Sequence, residues 1–283
     1  MFRVGASSAG RPLCEKVFAE YQAAGVDLME VSAPAPFIDE VDAAEMAAYA
    51  KKYGVEMWSF HLPFGRGDLI SRPCDDIPLA IERHTERIKR WAAHGVRYFV
   101  IHPGCDDPDG TQRAHIEIAK ESLATLAEIA HREGAVICVE DLPRTCLGNC
   151  SDEMLELLSA DDRLRVCFDT NHLLKEDVVE FVRRVGDKIV TTHVSDFDFV
   201  NERHWLPGEG KIDWQALIAA LKEVNYQGVW MYEVGPECPN TIFRDHDVSL
   251  SDLLLNAKEL FAGQKPTLFS TPHPNPPLGW WPK

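Results

Sequence analysis

Eight short apolar runs alternate with longer segments of helical spacing along nearly the whole chain, and no other feature restricts the fold as strongly. The runs are FRVGAS from residue 2, VDLMEVS from 26, EMWSFHLP from 56 and RYFVIHPG from 97. Four more follow: AVICVEDL from 135, LRVCFDTNH from 164, KIVTTHVSD from 188 and GVWMYEVG from 228. They are rich in β-branched and aromatic residues, and most lack polar alternation, as strands covered on both faces do. Between them, RAHIEIAKESLATLAEIAHREG places Ile116, Ile118, Ala119, Leu123, Leu126, Ala127 and Ala130 on one stripe. Gly25, Gly54, Gly95, Gly134 and Gly186 fall where a left-handed cap ends a helix. Pro12, Pro78 and Asp213 mark helix starts.

Eight strand–helix units, spaced roughly 25–40 residues apart, predict an α/β protein with a single (β/α)8 TIM barrel over residues 1–262. An open doubly wound sheet is the alternative. It is disfavoured because GASSAGRPL, not G-x-G-x-x-G, follows the first run. Residues 263–283 form a proline-rich, nonhelical C-terminal tail, an extended arm or a partly disordered one. Trp280 and Trp281 within it predict docking on the body or on a neighbouring subunit, because exposed indoles forgo burial.

The formal net charge of −16 argues against a surface that grips nucleic acid, which needs clustered Lys and Arg. No apolar stretch approaches the roughly 20 residues that span a bilayer, and no signal-peptide run opens the chain. A cytoplasmic location with no membrane partner is therefore expected. Of the 8 cysteines, Cys138 and Cys167 lie inside strand-like runs, so reduced thiols are the better reading. Cys146-x-x-x-Cys150 lacks a second Cys/His pair of zinc-finger spacing and reads as two loop thiols.

In a (β/α)8 barrel the carboxyl ends of the strands converge on one mouth. Those ends read His61, His102, Glu140, Asp169, His193 and Glu233 on the third to eighth runs. Burying so many ionisable groups at one level is expensive unless something pairs with them. Glu140, Asp169 and Glu233 repel one another unless a cation intervenes, and His193 completes a three-oxygen, one-nitrogen donor set. One divalent ion (Mn, Mg, Co or Zn) suits it. Such an ion, bound to a carbonyl and the adjacent hydroxyl, acidifies the carbon between them and stabilises an enediolate. Two glutamates on opposite sides of that carbon can then exchange its proton and invert it.

On the motifs HLPF (61–64), IHPG (101–104), VED (139–141), FDTNH (168–172), HVSD (193–196), LPGEGKIDW (206–214) and YEVG (232–235), the chain resembles the xylose isomerase-like TIM barrel family. Within that family it is most similar to the sugar phosphate isomerases/epimerases, including ketose 3-epimerases. The resemblance implies a metal-dependent sugar isomerase or epimerase, with Glu140, Asp169, His193 and Glu233 as metal ligands and Glu140 and Glu233 also catalytic. It implies a small-molecule sugar substrate, His172 as a substrate-binding residue and a homo-oligomer (dimer or tetramer). His61, His102, Glu202 and His204 are further candidates for substrate or second-metal contact. Trp58 and Phe64 are candidate walls of a sugar pocket. Arg144, Arg203 and Lys211 are nearby basic groups for a carboxylate or phosphate, and Asp196 is placed to orient His193 or the substrate. Characterised ketose 3-epimerases carry a second glutamate about six residues after the fifth-strand ligand and an arginine at a similar interval after the seventh-strand histidine. Here Cys146 and Phe199 stand at those positions.

The chain also resembles the endonuclease IV (AP endonuclease family 2) branch of the same fold. That branch implies up to three zinc ions held by His61, His102, Glu140, Asp169, His172, His193, Glu202, His204 and Glu233, with Glu202 in place of an aspartate. A nuclease needs basic, base-intruding mouth loops. The loops here, DDPDG, VSDFDFVNE and GPECPN, are acidic or neutral. A dehydratase or lyase on this barrel is also compatible with these ligands, as is a noncatalytic metal-binding barrel.

Overall fold

A computed structural model of the protein describes residues 2–72, 76–106 and 112–277. All eight apolar runs form parallel strands: β1 (Arg3–Ser7), β2 (Leu28–Val31), β3 (Glu56–His61), β4 (Tyr98–Ile101), β5 (Val136–Glu140), β6 (Arg165–Asp169), β7 (Ile189–His193) and β8 (Val229–Tyr232). They hydrogen-bond in the order β7-β6-β5-β4-β3-β2-β1-β8. The ring closes between β7 and β8 through a parallel bridge from Val194 to Tyr232, with Val194 N–H donating to the Met231 carbonyl at 2.8 Å. This is the (β/α)8 barrel.

The helices are α1 (Glu15–Ala24), α2 (Phe37–Glu40), α3 (Ala43–Tyr53), α4 (Ile77–Ala92), α5 (Ile116–Arg132), α6 (Ser151–Leu158), α7 (Val178–Val185), α8 (Trp214–Glu223) and α9 (Leu250–Phe261). Their apolar stripes pack on the outside of the sheet. The α5 stripe buries Ile116, Ala119, Leu123, Leu126, Ala127 and Ala130 as its spacing predicts, with Ile118 only half-buried. Asp213 caps α8 by accepting from Ala216 N–H at 3.0 Å, and proline sits in the first turn of α4. Pro12 lies outside α1, whose cap position is Cys14.

The interior of the barrel is divided by height. Toward the amino ends, Leu28, Val229 and Met231 fill it with Trp58. Gly5 makes this possible, because a Cβ there would stand 2.8 Å from Met231 Cε and 3.0 Å from Leu28 Cβ. Toward the carboxyl ends the lining becomes ionic.

The described part of the tail, residues 263–277, carries no helix. Ser270–Pro272 forms β10, antiparallel to β9 (Ile242–Arg244) in the loop after β8. The Pro277 carbonyl accepts from Arg203 Nη1, which brings the tail to the loop after β7. Trp280 and Trp281 lie outside the described residues. No helix among the described residues is long and apolar enough to cross a membrane.

Candidate active site

Glu140, Asp169 and His193 end β5, β6 and β7, and Glu233 follows β8 directly. One donor atom from each of the four lies within 4.8 Å of the others. Glu140, Asp169 and His193 have at most 1% of their side chains exposed, while Glu233 shows 17% and faces the open mouth. Bonds between neighbouring strand ends hold them in place: the Asp141 side-chain Oδ1 accepts from Asp169 N–H at 2.7 Å, and Glu233 N–H donates to the Val194 carbonyl at 3.1 Å.

The imidazoles close around Glu140. Its Oε2 lies 3.1 Å from both His61 Nε2 and His102 Nε2, and its Oε1 lies 2.9 Å from His193 Nδ1. Burial alone would push the Glu140 carboxyl up, but the His193 and His102 imidazoles hold it well below the usual carboxylate range. Burial dominates at Glu233, which rises to about 7 despite His193, with Asp169 pushing the same way. Burial also raises Asp169, against the pull of His172. His61 rises to about 9, because Glu140 outweighs the burial that would lower it, whereas burial takes His102 down to about 4.

These contacts test whether the residues fit a cation. Asp169 Oδ2 is fully buried and has no hydrogen-bond partner among the described residues, yet it faces His172 Nδ1 at 3.6 Å and His193 Nδ1 at 3.9 Å. A buried carboxylate oxygen is rarely left unpaired. His61 Nδ1–H donates to the Leu62 carbonyl at 2.9 Å, so a neutral His61 turns its Nε2 lone pair toward the Glu140 carboxylate. Two acceptors face each other there, and a proton or a metal ion must stand between them. The donor chemistry fits a divalent ion.

A cavity of about 360 Å³ opens above the cluster, within the size range of small-molecule sites. His61, His102, Glu140 and Glu233 form its floor; Phe64, Arg144, His172, Glu202 and His204 form its walls. The Phe64 ring stacks on His102 at a centroid distance of 3.9 Å. His172 Nδ1–H donates to the Asp141 carbonyl at 2.8 Å and aims Nε2 at Glu202 Oε2, 3.3 Å away. His172, Glu202 and His204 form a second group with donor atoms within 4.8 Å, and His61, Glu140 and His193 a third. Arg144 Nη1 donates to Glu202 Oε1 at 2.9 Å and to Asn201 Oδ1 at 3.0 Å. Its Nε also reaches Asp106 Oδ2.

Three described non-glycine residues in the mouth loops adopt left-handed backbone: Arg144 (φ 56°), Phe199 (φ 62°) and His204 (φ 50°). Each costs about 1–3 kcal/mol, a strain that persists where the surroundings fix a side chain for use. For His204 the surroundings are visible: Asn171 Oδ1 accepts from the N–H groups of Arg203 and His204, at 2.8 and 3.3 Å.

Four expected substrate contacts fall elsewhere. Trp58 plugs the barrel floor, donating from Nε1 to Thr191 Oγ1 at 3.3 Å, with Tyr98 against its ring at 4.7 Å. It faces inward because a register shift puts Met29 opposite Met57 but Glu30 opposite Ser59, leaving Trp58 as the extra residue. Asp196 is buried and structural: Oδ1 accepts from Phe197 and Ile212 N–H, and Oδ2 from Gly208 N–H and Trp214 Nε1. The 206–213 turn wraps it so tightly that a Cβ at Gly210 would sit 2.2 Å from Asp196 Oδ1. That turn directs Lys211 outward, exposed and away from the cavity. Arg203 is buried and donates to Asp198 and to the Pro277 carbonyl. The described cysteines are free thiols, and Cys146 lines the cavity.

Sequence reading passed over Glu30, Ser59 and Asp141, all buried around the cluster. The signal for Glu30 was a carboxylate set between Leu28-Met29 and Val31 in the apolar run VDLMEVS.

Two uncharacterised curated relatives match at 30% identity, and the chain spans about half the length of one and under a third of the other. D-psicose 3-epimerase of Ruminiclostridium cellulolyticum is 26% identical over 216 residues, 72% of each chain. A probable endonuclease 4 of a Geobacillus species is 26% identical over 202 residues, 64% of this chain and 66% of the relative. Among solved structures, a D-tagatose 3-epimerase-like protein superposes with a TM-score of 0.73 at 23% identity, covering 83% of this chain and 91% of its own. The pattern of the xylose isomerase-like TIM barrel family matches residues 18–248, and the chain belongs to that family.

Proposed function

We propose that the chain is a divalent-metal-dependent sugar or sugar phosphate epimerase or isomerase that moves a proton on a carbon beside a carbonyl. One observation carries the reading: the donor atoms of Glu140, Asp169, His193 and Glu233 converge within 4.8 Å, with a buried Asp169 oxygen that has no hydrogen-bond partner among the described residues. The sugar epimerases among the similar proteins support the same class. When bound, a divalent ion supplies the positive charge that offsets what builds on the substrate oxygens as the proton leaves.

The chain's own groups then divide the work. Glu140, held ionised among three imidazoles, accepts a proton from one face of the carbon. Glu233, raised toward neutrality and open to the cavity, returns one from the other face. Two carboxyls pushed apart by their surroundings suit a base and an acid. His172, Glu202 and Arg144 present the polar wall that hydroxyls require. In this pair the guanidinium comes from the loop after β5 and the carboxylate from the loop after β7. That reverses the loop origins in the ketose 3-epimerases the chain resembles, so the sugar is held differently.

Solvent-deuterium exchange into a ketose panel, with metal counting on the purified protein, tests the proposal. One metal and exchange beside the carbonyl are expected. The three donor groups also suit a trinuclear phosphodiesterase, and three bound zinc ions with cleavage of abasic DNA would replace this reading. The described arginines of the β5 and β7 loops speak against that second reading, since Arg144 and Arg203 are committed to internal acceptors rather than open to a phosphate backbone.

A further inference from the structure

We infer that Glu30, on β2, is a positioning residue that fixes the protonation site of His193 so that its other nitrogen is free for the metal. The inference rests on the proposed metal site. His193 is fully buried and gripped at both nitrogens, with Glu140 Oε1 2.9 Å from Nδ1 and Glu30 Oε2 2.9 Å from Nε2. Nδ1 is the nitrogen facing Asp169 and Glu233, at 3.9 and 3.5 Å. A neutral imidazole carries one proton, so an Nδ1 lone pair given to a cation places the proton on Nε2. Glu30 is the acceptor that meets it.

Packing gives Glu30 no other reason to be charged. It has no exposed surface, it stands directly above the apolar floor of Leu28, Val229 and Met231, and its Oε1 has no hydrogen-bond partner among the described residues. A buried carboxylate in such a place is costly unless paired. Besides His193, its partner is the Ser59 hydroxyl, which donates to Oε2 at 2.8 Å and fixes the carboxylate's direction. The backbone is pinned as well, since Ser8 N–H donates to the Glu30 carbonyl at 2.9 Å.

The test measures Mn²⁺ and Co²⁺ affinity by competition with a chromophoric chelator in the wild type, Glu30→Gln, Glu30→Ala and Ser59→Ala. Outer partners of a ligating histidine typically contribute about 10- to 100-fold in affinity. Glu30→Ala is expected to lose that much and to shift the visible bands of the cobalt-loaded protein. Glu30→Gln, which keeps an acceptor oxygen, should lose less, and Ser59→Ala least. Melting of the metal-free variants separates this from a fold defect; if Glu30→Ala fails to fold, the Gln and Ser59 variants carry the test. Folded variants with affinities within twofold of wild type and unchanged cobalt bands would overturn the inference alone. A wild type that binds neither ion would overturn the metal site and this inference together.

Discussion

The upper and lower halves of the barrel interior share the same eight strands but solve opposite problems. Below, Trp58, Leu28, Val229 and Met231 fill the space with apolar atoms. Above, Glu140, Asp169, His193 and His61 crowd together with almost no access to water. The floor is self-sufficient: each side chain is satisfied by contact. The upper layer is satisfied only if protons or a cation enter it. Damage to the floor should therefore lower stability and spare metal binding, and damage to the upper layer should do the reverse.

The largest separation is expected from Glu140→Gln, which removes a proposed proton-transfer group and a proposed metal ligand. Exchange of the substrate proton should fall by about 10²–10⁴-fold, the usual worth of such a group, with loss of stoichiometric metal. Trp58→Ala should instead cost about 3–5 kcal/mol of folding stability, measured by denaturant melts, while metal affinity per folded molecule stays near wild type. A Trp58 variant that melts normally but loses metal would erase the distinction between the halves.

Asp196→Ala probes the loop after β7, outside both layers. It leaves four donors of the 196–214 segment without their acceptor, each costing about 1–3 kcal/mol if it stays buried, so a marked drop in melting temperature is expected. Metal affinity of the folded fraction should survive, because Asp196 does not contact His193. Near-normal stability with lost metal would restore it as an orienting group of the site.

A smaller effect distinguishes the metal-free from the metal-loaded upper layer. His61 is raised to about 9, so its contact with Glu140 stabilises the metal-free fold fully below its unfolded value near 6.5. That contribution is lost as pH rises through 9. A cation bound beside Glu140 repels that proton, so affinity should strengthen over the same window. Stability of the metal-free protein that is flat from pH 6.5 to 9 would contradict a protonated His61. Lys211→Ala should change almost nothing, within about 0.5 kcal/mol in stability and with unaltered exchange kinetics.

Much of this was legible in the sequence, for identifiable reasons. Strand order and number follow from unbroken apolar runs, and the ends of those runs point at one mouth whatever the loops do. His61, His102, Glu140, Asp169, His193 and Glu233 could thus be placed at that mouth from position alone. Depth inside the barrel was not legible. Trp58 is three residues from His61, and only the shifted register opposite Met29 and Glu30 shows that it belongs to the floor. Glu30 was hidden for the same reason, since a one-dimensional reading does not reveal that β2 places it against β7 across the barrel. Asp196 was misread because a carboxylate after a strand end looks the same whether it meets a substrate or four backbone and indole donors.

The central claim is that proton exchange on a ketose depends on a metal held by these four residues. Incorporation of solvent deuterium by the wild-type protein, before and after removal of divalent ions with a chelator and again after Mn²⁺ is restored, tests it most directly. Exchange at a carbon beside the carbonyl, abolished by chelation, recovered with Mn²⁺ and missing in Glu233→Gln, is the predicted result. Exchange that persists undiminished in the chelated protein or in Glu233→Gln would contradict it.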